Sequence, residues 1–136
     1  MMISTRGRYA LRIMLDLARH DQDGFVSLKE ICDRQEVSMK YLETIVADLY
    51  RGGLVKSKRG KSGGYRLTAD PENCNVYDIM RAAESNFSPV PCVAEGMGGC
   101  ERSESCLTLP MWQKLDGLIE DYLSKISLKD LLDRKI

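Results

Sequence analysis

The chain has 136 residues, 43% of them hydrophobic and 29% charged, with 20 basic and 20 acidic side chains in balance. That is ordinary globular composition and one domain's length, with or without an appendage, and it excludes a collagen-like, disordered or purely coiled-coil chain. No stretch approaches the roughly 20 apolar residues of a bilayer crossing, and Met1-Met2-Ile3-Ser4-Thr5-Arg6 lacks an apolar signal run. The expectation is a soluble cytoplasmic protein with no membrane partner.

The balance of charge hides a division. Residues 1–66 carry 13 Lys and Arg against 8 Asp and Glu, whereas residues 67–136 carry 7 against 12. Arg51, Lys56, Lys58, Arg59, Lys61 and Arg66 crowd together with no acid among them. Such a dipole points to one half that meets a polyanion and another with a different task. A basic run alone reads equally well as a solvated surface, so the surrounding elements decide.

Apolar spacing predicts a first helix from about Gly7 to His20, because Tyr9, Ile13 and Leu17 lie four apart and Ala10, Met14 and Leu15 widen the stripe. Asp21-Gln22-Asp23-Gly24 supplies turn chemistry at its end. After a short extended Phe25-Val26, Ser27-Leu28-Lys29-Glu30 reads as a capping box for a second helix reaching about Gln35. Ser38 is the N-cap candidate of a third, with Leu42, Ile45, Val46 and Leu49 as its inner face and a stop at Arg51-Gly52-Gly53.

Two short helices joined by Glu36-Val37 make a helix-turn-helix candidate, although a helical hairpin in a plain bundle has the same pattern. The next segment separates the two. Residues 54–59 read as a strand, 60–64 as a tight glycine-rich loop and 65–68 as the returning strand. A basic hairpin directly after a helix-turn-helix is a wing, whose small tip can approach a groove or phosphates. The fold class expected is therefore mainly α, a winged helix-turn-helix with a two-stranded β-wing and a long C-terminal dimerisation helix. The expected partner is a double-stranded DNA operator. Candidate DNA-binding residues are Ser38, Lys40, Tyr41, Glu43 and Thr44 on the third helix, and Lys58, Arg59, Gly60 and Lys61 at the wing. Glu43 can accept from a cytosine amino group, while Lys40 and Tyr41 suit the phosphate backbone.

Asp70-Pro71 breaks the chain, and Asn75 caps a fourth helix over 76–84. Residues 86–105 lack apolar periodicity and carry Pro89, Pro91, Gly96, Gly98 and Gly99. A loop of that length inside a compact chain is functional or disordered. A closing helix is expected over about 108–125, with Pro110 in its first turn. Leu107, Met111, Leu115, Leu118, Tyr122 and Ile126 form a long apolar stripe. Because it follows a winged domain already closed, the stripe is expected to bury against a second subunit. Ser127 opens a last short helix. The expected divisions are 1–70 for DNA binding, 71–107 for the fourth helix and cysteine loop, and 108–136 for dimerisation.

The loop and its end hold Cys92, Cys100 and Cys106 at a C-x7-C-x5-C spacing. Iron–sulfur clusters are held mainly by thiolates, and three cysteines on one flexible segment can wrap a cluster without disturbing a core. Zinc with a fourth ligand stays open, although the usual paired hooks are absent, and so does a metal-free thiol sensor. His20, the one histidine, suits a solvated or C-capping role, and Cys32 and Cys74 suit packing. There is no phosphate loop, no H-E-x-x-H and no histidine near a cysteine to act as base, so no enzyme is expected.

The stretch from Ser4-Thr5-Arg6-Gly7-Arg8-Tyr9 to Ala18, with Tyr41-Leu42-Glu43, residues 53–60 and Gly63-Gly64-Tyr65-Arg66-Leu67, resembles the winged-helix repressors of the iron–sulfur-cluster regulator family, the IscR-like or Rrf-two family. The three cysteines, Cys106-Leu107-Thr108 and the Trp112-bearing helix extend the resemblance over nearly the whole chain. It implies a homodimer crossed through the C-terminal helix. It also implies a [2Fe–2S] or [4Fe–4S] cluster whose iron is ligated by Cys92, Cys100 and Cys106, with cluster state tuning operator binding. A member that senses thiol or cysteine status without metal, through the loop or a partner enzyme, is the alternative. The sequence departs from the family pattern in three places. A ligating histidine found three residues after the third cysteine in some relatives is Leu109 here, and the N-terminal acid of others falls in Arg6-Gly7-Arg8. The first cysteine spacing is seven rather than five. The fourth ligand stays open among Glu95, Glu101, Glu104, Ser105 and an exogenous thiol.

Overall fold

Ser4 opens the first helix two residues before the apolar stripe suggests: its hydroxyl accepts from the Gly7 amide at 3.2 Å, so α1 runs Thr5–Arg19. The computed structural model describes residues 3–94, 101–102 and 104–136. Ser27 and Glu30 complete the expected capping box of α2 (Leu28–Gln35), and Ser38 caps α3 (Met39–Arg51) through the Tyr41 amide. Glu36 takes a left-handed backbone (φ 55°) at the end of α2, turning the chain into α3.

The wing consists of β1 (Val55–Lys58) and β2 (Gly64–Leu67), antiparallel with Val55 opposite Leu67 and Lys58 opposite Gly64. The extended Phe25-Val26 piece docks on β2, since Val26 and Tyr65 exchange both backbone hydrogen bonds at 2.8 Å. This close approach explains Gly64. Its φ is +148°, and a Cβ there would sit 2.1 Å from the Val26 carbonyl oxygen.

Asn75 caps α4 (Val76–Ala83), a 3-10 turn occupies Pro91–Val93, and α5 (Leu109–Ser124) and α6 (Leu128–Leu132) close the chain. The main core joins Ile13, Met14 and Leu17 of α1 to Ile31, Leu42, Ile45 and Leu49, with Val55 and Leu67 beneath the wing. Leu128 of α6 is fully buried in the same core, so the winged unit is not closed before the long helix, as the sequence suggested, but by the end of the chain. A smaller cluster of Val76, Met80 and Phe87 receives Ile119 and Leu123 of α5 together with Ile126.

The α5 stripe therefore needs correction. Ile126 lies past the end of α5 and turns inward onto α4. Met111, Leu115, Leu118 and Tyr122 do share one solvent-facing surface, with Leu118 56% and Tyr122 59% exposed.

One buried charge pins α1 to α2. Asp16, 3% exposed, accepts two hydrogen bonds from Arg34 at 2.7 and 3.0 Å and one from Gln35 at 2.8 Å. Burial pushes this carboxyl up, but hydrogen bonds from Arg34 and Gln35 and the charges of Arg34 and His20 outweigh it and hold it below its ordinary value. The sequence signal was an acid set between Ile13 and Leu17 on the inner side of an apolar stripe.

Candidate nucleic-acid interface and cysteine segment

Burial of Leu42, Ile45, Val46 and Leu49 turns the opposite face of α3 outward, and Lys40, Glu43 and Thr44 are exposed on it. Ser38 is exposed and engaged as the N-cap, accepting from the Tyr41 amide at 3.3 Å. The Thr44 hydroxyl donates to the Tyr41 carbonyl at 2.7 Å. Tyr41 is half-buried, its ring edge-on to Tyr9 at 5.8 Å, which fixes the first turn of α3 against α1. At the wing, Lys58, Arg59, Gly60 and Lys61 are all exposed, and Gly60 holds the tip with φ +103°.

Ion pairing divides the basic cluster read from the sequence. Arg51 pairs with Asp48, and Arg66 pairs with Asp21 at 3.3 Å. Among the described residues Lys56, Lys58, Arg59 and Lys61 have no carboxylate partner, so these remain for a polyanion. Arg59→Ala is expected to weaken duplex binding and flatten the slope of log affinity against log salt by about one unit. Arg66→Ala should leave that slope unchanged, because its guanidinium is already neutralised. Fluorescence titrations over a salt series distinguish the two; equal slopes for both variants would place the wing away from DNA.

The cysteines fall into two chemical groups. Cys92 sits exposed in the Pro91–Val93 turn. Cys106 is half-exposed just before α5, its sulfur 3.4 Å from the Thr108 hydroxyl. That hydroxyl, then the amides of Thr108 and Leu109 and the charge of Arg102, hold its thiol below the usual value against a small effect of burial. Burial pushes the Cys74 and Cys32 thiols up, and neighbouring acids add to the rise. In the thiol form, Cys106 is expected to be alkylated at lower pH than Cys32 or Cys74, as mass-mapped labelling across a pH series would show. Simultaneous labelling of the three would contradict the amide arrangement.

Cys100 and Glu95 lie outside the described residues, while Glu101, Glu104 and Ser105 are exposed. No cluster of metal-ligating side chains is preassembled among the described residues. Accessible Cys92 and thiolate-biased Cys106 nevertheless fit the soft donors that iron–sulfur chemistry requires. Leu109 opens α5 and cannot ligate; Arg6 is paired with Asp48, and Arg8 donates to Thr5. Sequence reasoning missed the long-range partners of Ser4 and Arg6. Their only local signal was a cap serine three residues before a helical glycine. His20 terminates α1 as expected, its Nδ1 2.8 Å from the Asp16 carbonyl.

Comparison with known proteins agrees with this architecture. The family model Rrf2, described as an iron-dependent transcriptional regulator, matches residues 3–134. The HTH-type transcriptional regulator IscR of Vibrio campbellii is 38% identical over 97% of this chain and 77% of its own length. The structure of CymR (YrzC), the global cysteine regulator of B. subtilis, aligns with TM-score 0.77 and 35% identity over 100% of this chain and 99% of that one. The T. potens IscR structure aligns with TM-score 0.77 and 38% identity over 100% and 89%. No helix among the described residues is long and apolar enough to cross a membrane. A winged helix-turn-helix with these relatives is a DNA-binding regulator and not an enzyme, and the chain belongs to the Rrf2 family of transcriptional regulators.

Proposed function

We propose that this protein is a cytoplasmic, homodimeric repressor whose operator binding is tuned by an iron–sulfur cluster on Cys92, Cys100 and Cys106. Two copies of α3 and of the wing would read a near-palindromic duplex, with Ser38, Lys40, Tyr41, Glu43, Thr44, Lys58, Arg59, Gly60 and Lys61 as the contact set. The exposed face of Met111, Leu115, Leu118 and Tyr122 supports the dimer, since so ordered an apolar row along a helix calls for a cover. The observation that carries the cofactor assignment is the position of Cys106. It stands at the head of α5 with a hydroxyl and two amides favouring its thiolate, on the segment that also bears Cys92. A bound cluster supplies iron–thiolate attachments and a charge that varies with oxidation state. Cys92 and Cys106 would tie the α4–α5 connection to the start of the dimer helix, and Cys100 would complete the thiolate set.

A second, metal-free function has its own support. The fold aligns with the CymR structure as well as with the T. potens IscR structure, at TM-score 0.77 for each, and Leu109 offers no fourth ligand. In that form the same thiols would report cysteine status directly or through a partner enzyme. Anaerobic reconstitution with iron and sulfide separates the two. Wild type is expected to take up both, and a protein with serine at all three positions to take up neither, because serine keeps the shape but ligates poorly. Equal uptake by both proteins, or by neither, would reject the cluster and move the thiol sensor to first place.

A further inference from the structure

The first turn of α1 is gripped from two sides. Ser4 donates its backbone N–H (2.9 Å) and its hydroxyl (2.8 Å) to the same carboxylate oxygen of Glu84. Glu84 directly follows α4, and its own amide closes that helix on the Met80 carbonyl at 2.8 Å. On the other side, Arg6 donates to the Thr44 carbonyl at 3.3 Å and to the Asp48 carboxylate, both on α3. Asp48 holds Arg51 with its second oxygen, so it is itself fixed.

The sequence is built for this approach. A Cβ on Gly7 would lie 2.3 Å from the Glu84 carboxylate oxygen and 2.7 Å from the Met80 methyl carbon, so a side chain here would displace the Glu84 carboxylate from its place beside Ser4. The carboxylate also meets the positive end of the α1 dipole. Neither link is needed to start α1, because the Ser4 hydroxyl already caps the Gly7 amide. What the two links add is a connection between α4 and α3. Ser4 and Arg6 stand on one helical turn.

We propose that Glu84 and Arg6 are positioning residues for DNA binding: the first turn of α1 joins the end of α4, where the cysteine segment begins, to the recognition helix. This rests on α3 being the helix that reads DNA. A shift at the end of α4 pulls on Ser4, and Arg6 passes it to the carbonyl of Thr44, a residue on the DNA-facing side. The linkage works through acceptor geometry rather than charge. Glu84→Gln keeps an oxygen that can take both Ser4 donors, whereas Glu84→Ala keeps none.

The test uses the full chain in its metal-free, thiol-reduced form, so the cofactor assignment does not enter. Amide hydrogen exchange over residues 44–51 is read alongside affinity for a labelled duplex that the wild type selects from a random-sequence pool. Glu84→Ala is expected to speed exchange in that part of α3 and weaken binding roughly tenfold, the size of one lost hydrogen bond. Glu84→Gln should restore both readouts to near wild type. Arg6→Ala should match Glu84→Ala, and the double variant should lose no more than either alone. Faster exchange confined to α1 and α4, a glutamine variant as poor as the alanine one, or losses that multiply in the double variant would overturn the linkage. A wild type that selects no duplex would instead overturn the assignment of α3, and exchange in residues 44–51 would then decide the linkage alone.

Discussion

Leu118→Glu is expected to separate the protein into monomers and to abolish operator binding while the winged unit stays folded. Leu118 is 56% exposed in the single chain, so a glutamate there is solvated and costs the monomer little. In a two-fold interface the same carboxylate would be buried without a partner, at on the order of 3 kcal/mol, and symmetry enters it twice. A monomer keeps every side chain of α3 and the wing but presents one half-site, so affinity falls with the loss of the second set of contacts. Sedimentation should show the 15.4 kDa chain moving from dimer to monomer, with an unchanged circular dichroism spectrum. A variant that stays dimeric, or a wild type that is monomeric at micromolar concentration, would show that this face of α5 is not the interface.

Asp16→Ala is expected to destabilise the fold by about 3 kcal/mol, from the loss of three hydrogen bonds to a buried carboxylate at roughly 1 kcal/mol each, while the exposed Arg34 regains water. On a domain of this size that is roughly 10 °C in melting temperature. Arg34 would lose two hydrogen bonds and Gln35 one, on the side of α1 that faces α2. The same group gives the protein a defined acid sensitivity. A carboxyl held below its ordinary value contributes stability that is present above that ordinary value and is lost as pH falls through the lowered one. The variant should therefore be less stable at neutral pH and lose less on acidification. Denaturant unfolding across the acid range checks both parts; two curves that stay parallel throughout would contradict them.

Much of the fold was legible because its signals are local. Serines at 27 and 38 and Asn75 each cap the helix that follows within three residues, and the wing announces itself through glycines and alternation. The errors arise where a distant residue decides. Apolar period alone carried the α5 stripe through Ile126, but α5 ends at Ser124, and the Val76 amide donates to the Ile126 carbonyl at 2.9 Å, which turns that residue onto α4. Arg66 finds its carboxylate in Asp21, a partner brought up by packing and not by the basic run that contains it, whereas the Arg51–Asp48 pair is a local contact three residues apart on one helix. The bond between Ser4 and Glu84 spans 80 residues and no spacing rule reaches that far. At the candidate cysteine site, the C-x7-C-x5-C pattern gave the candidate donors. The hydroxyl and amides around Cys106 depend on where α5 begins, which the helix period left uncertain by a residue or two.

The proposed function joins duplex binding to an iron–sulfur cluster on Cys92, Cys100 and Cys106 that changes how tightly the duplex is held. Purifying the protein without oxygen and titrating one selected duplex before and after iron chelation tests both halves at once. A coloured protein that contains iron and sulfide, and whose affinity changes once both are removed, is the predicted result. A colourless protein without iron or sulfide, binding the duplex identically before and after chelation, would contradict it.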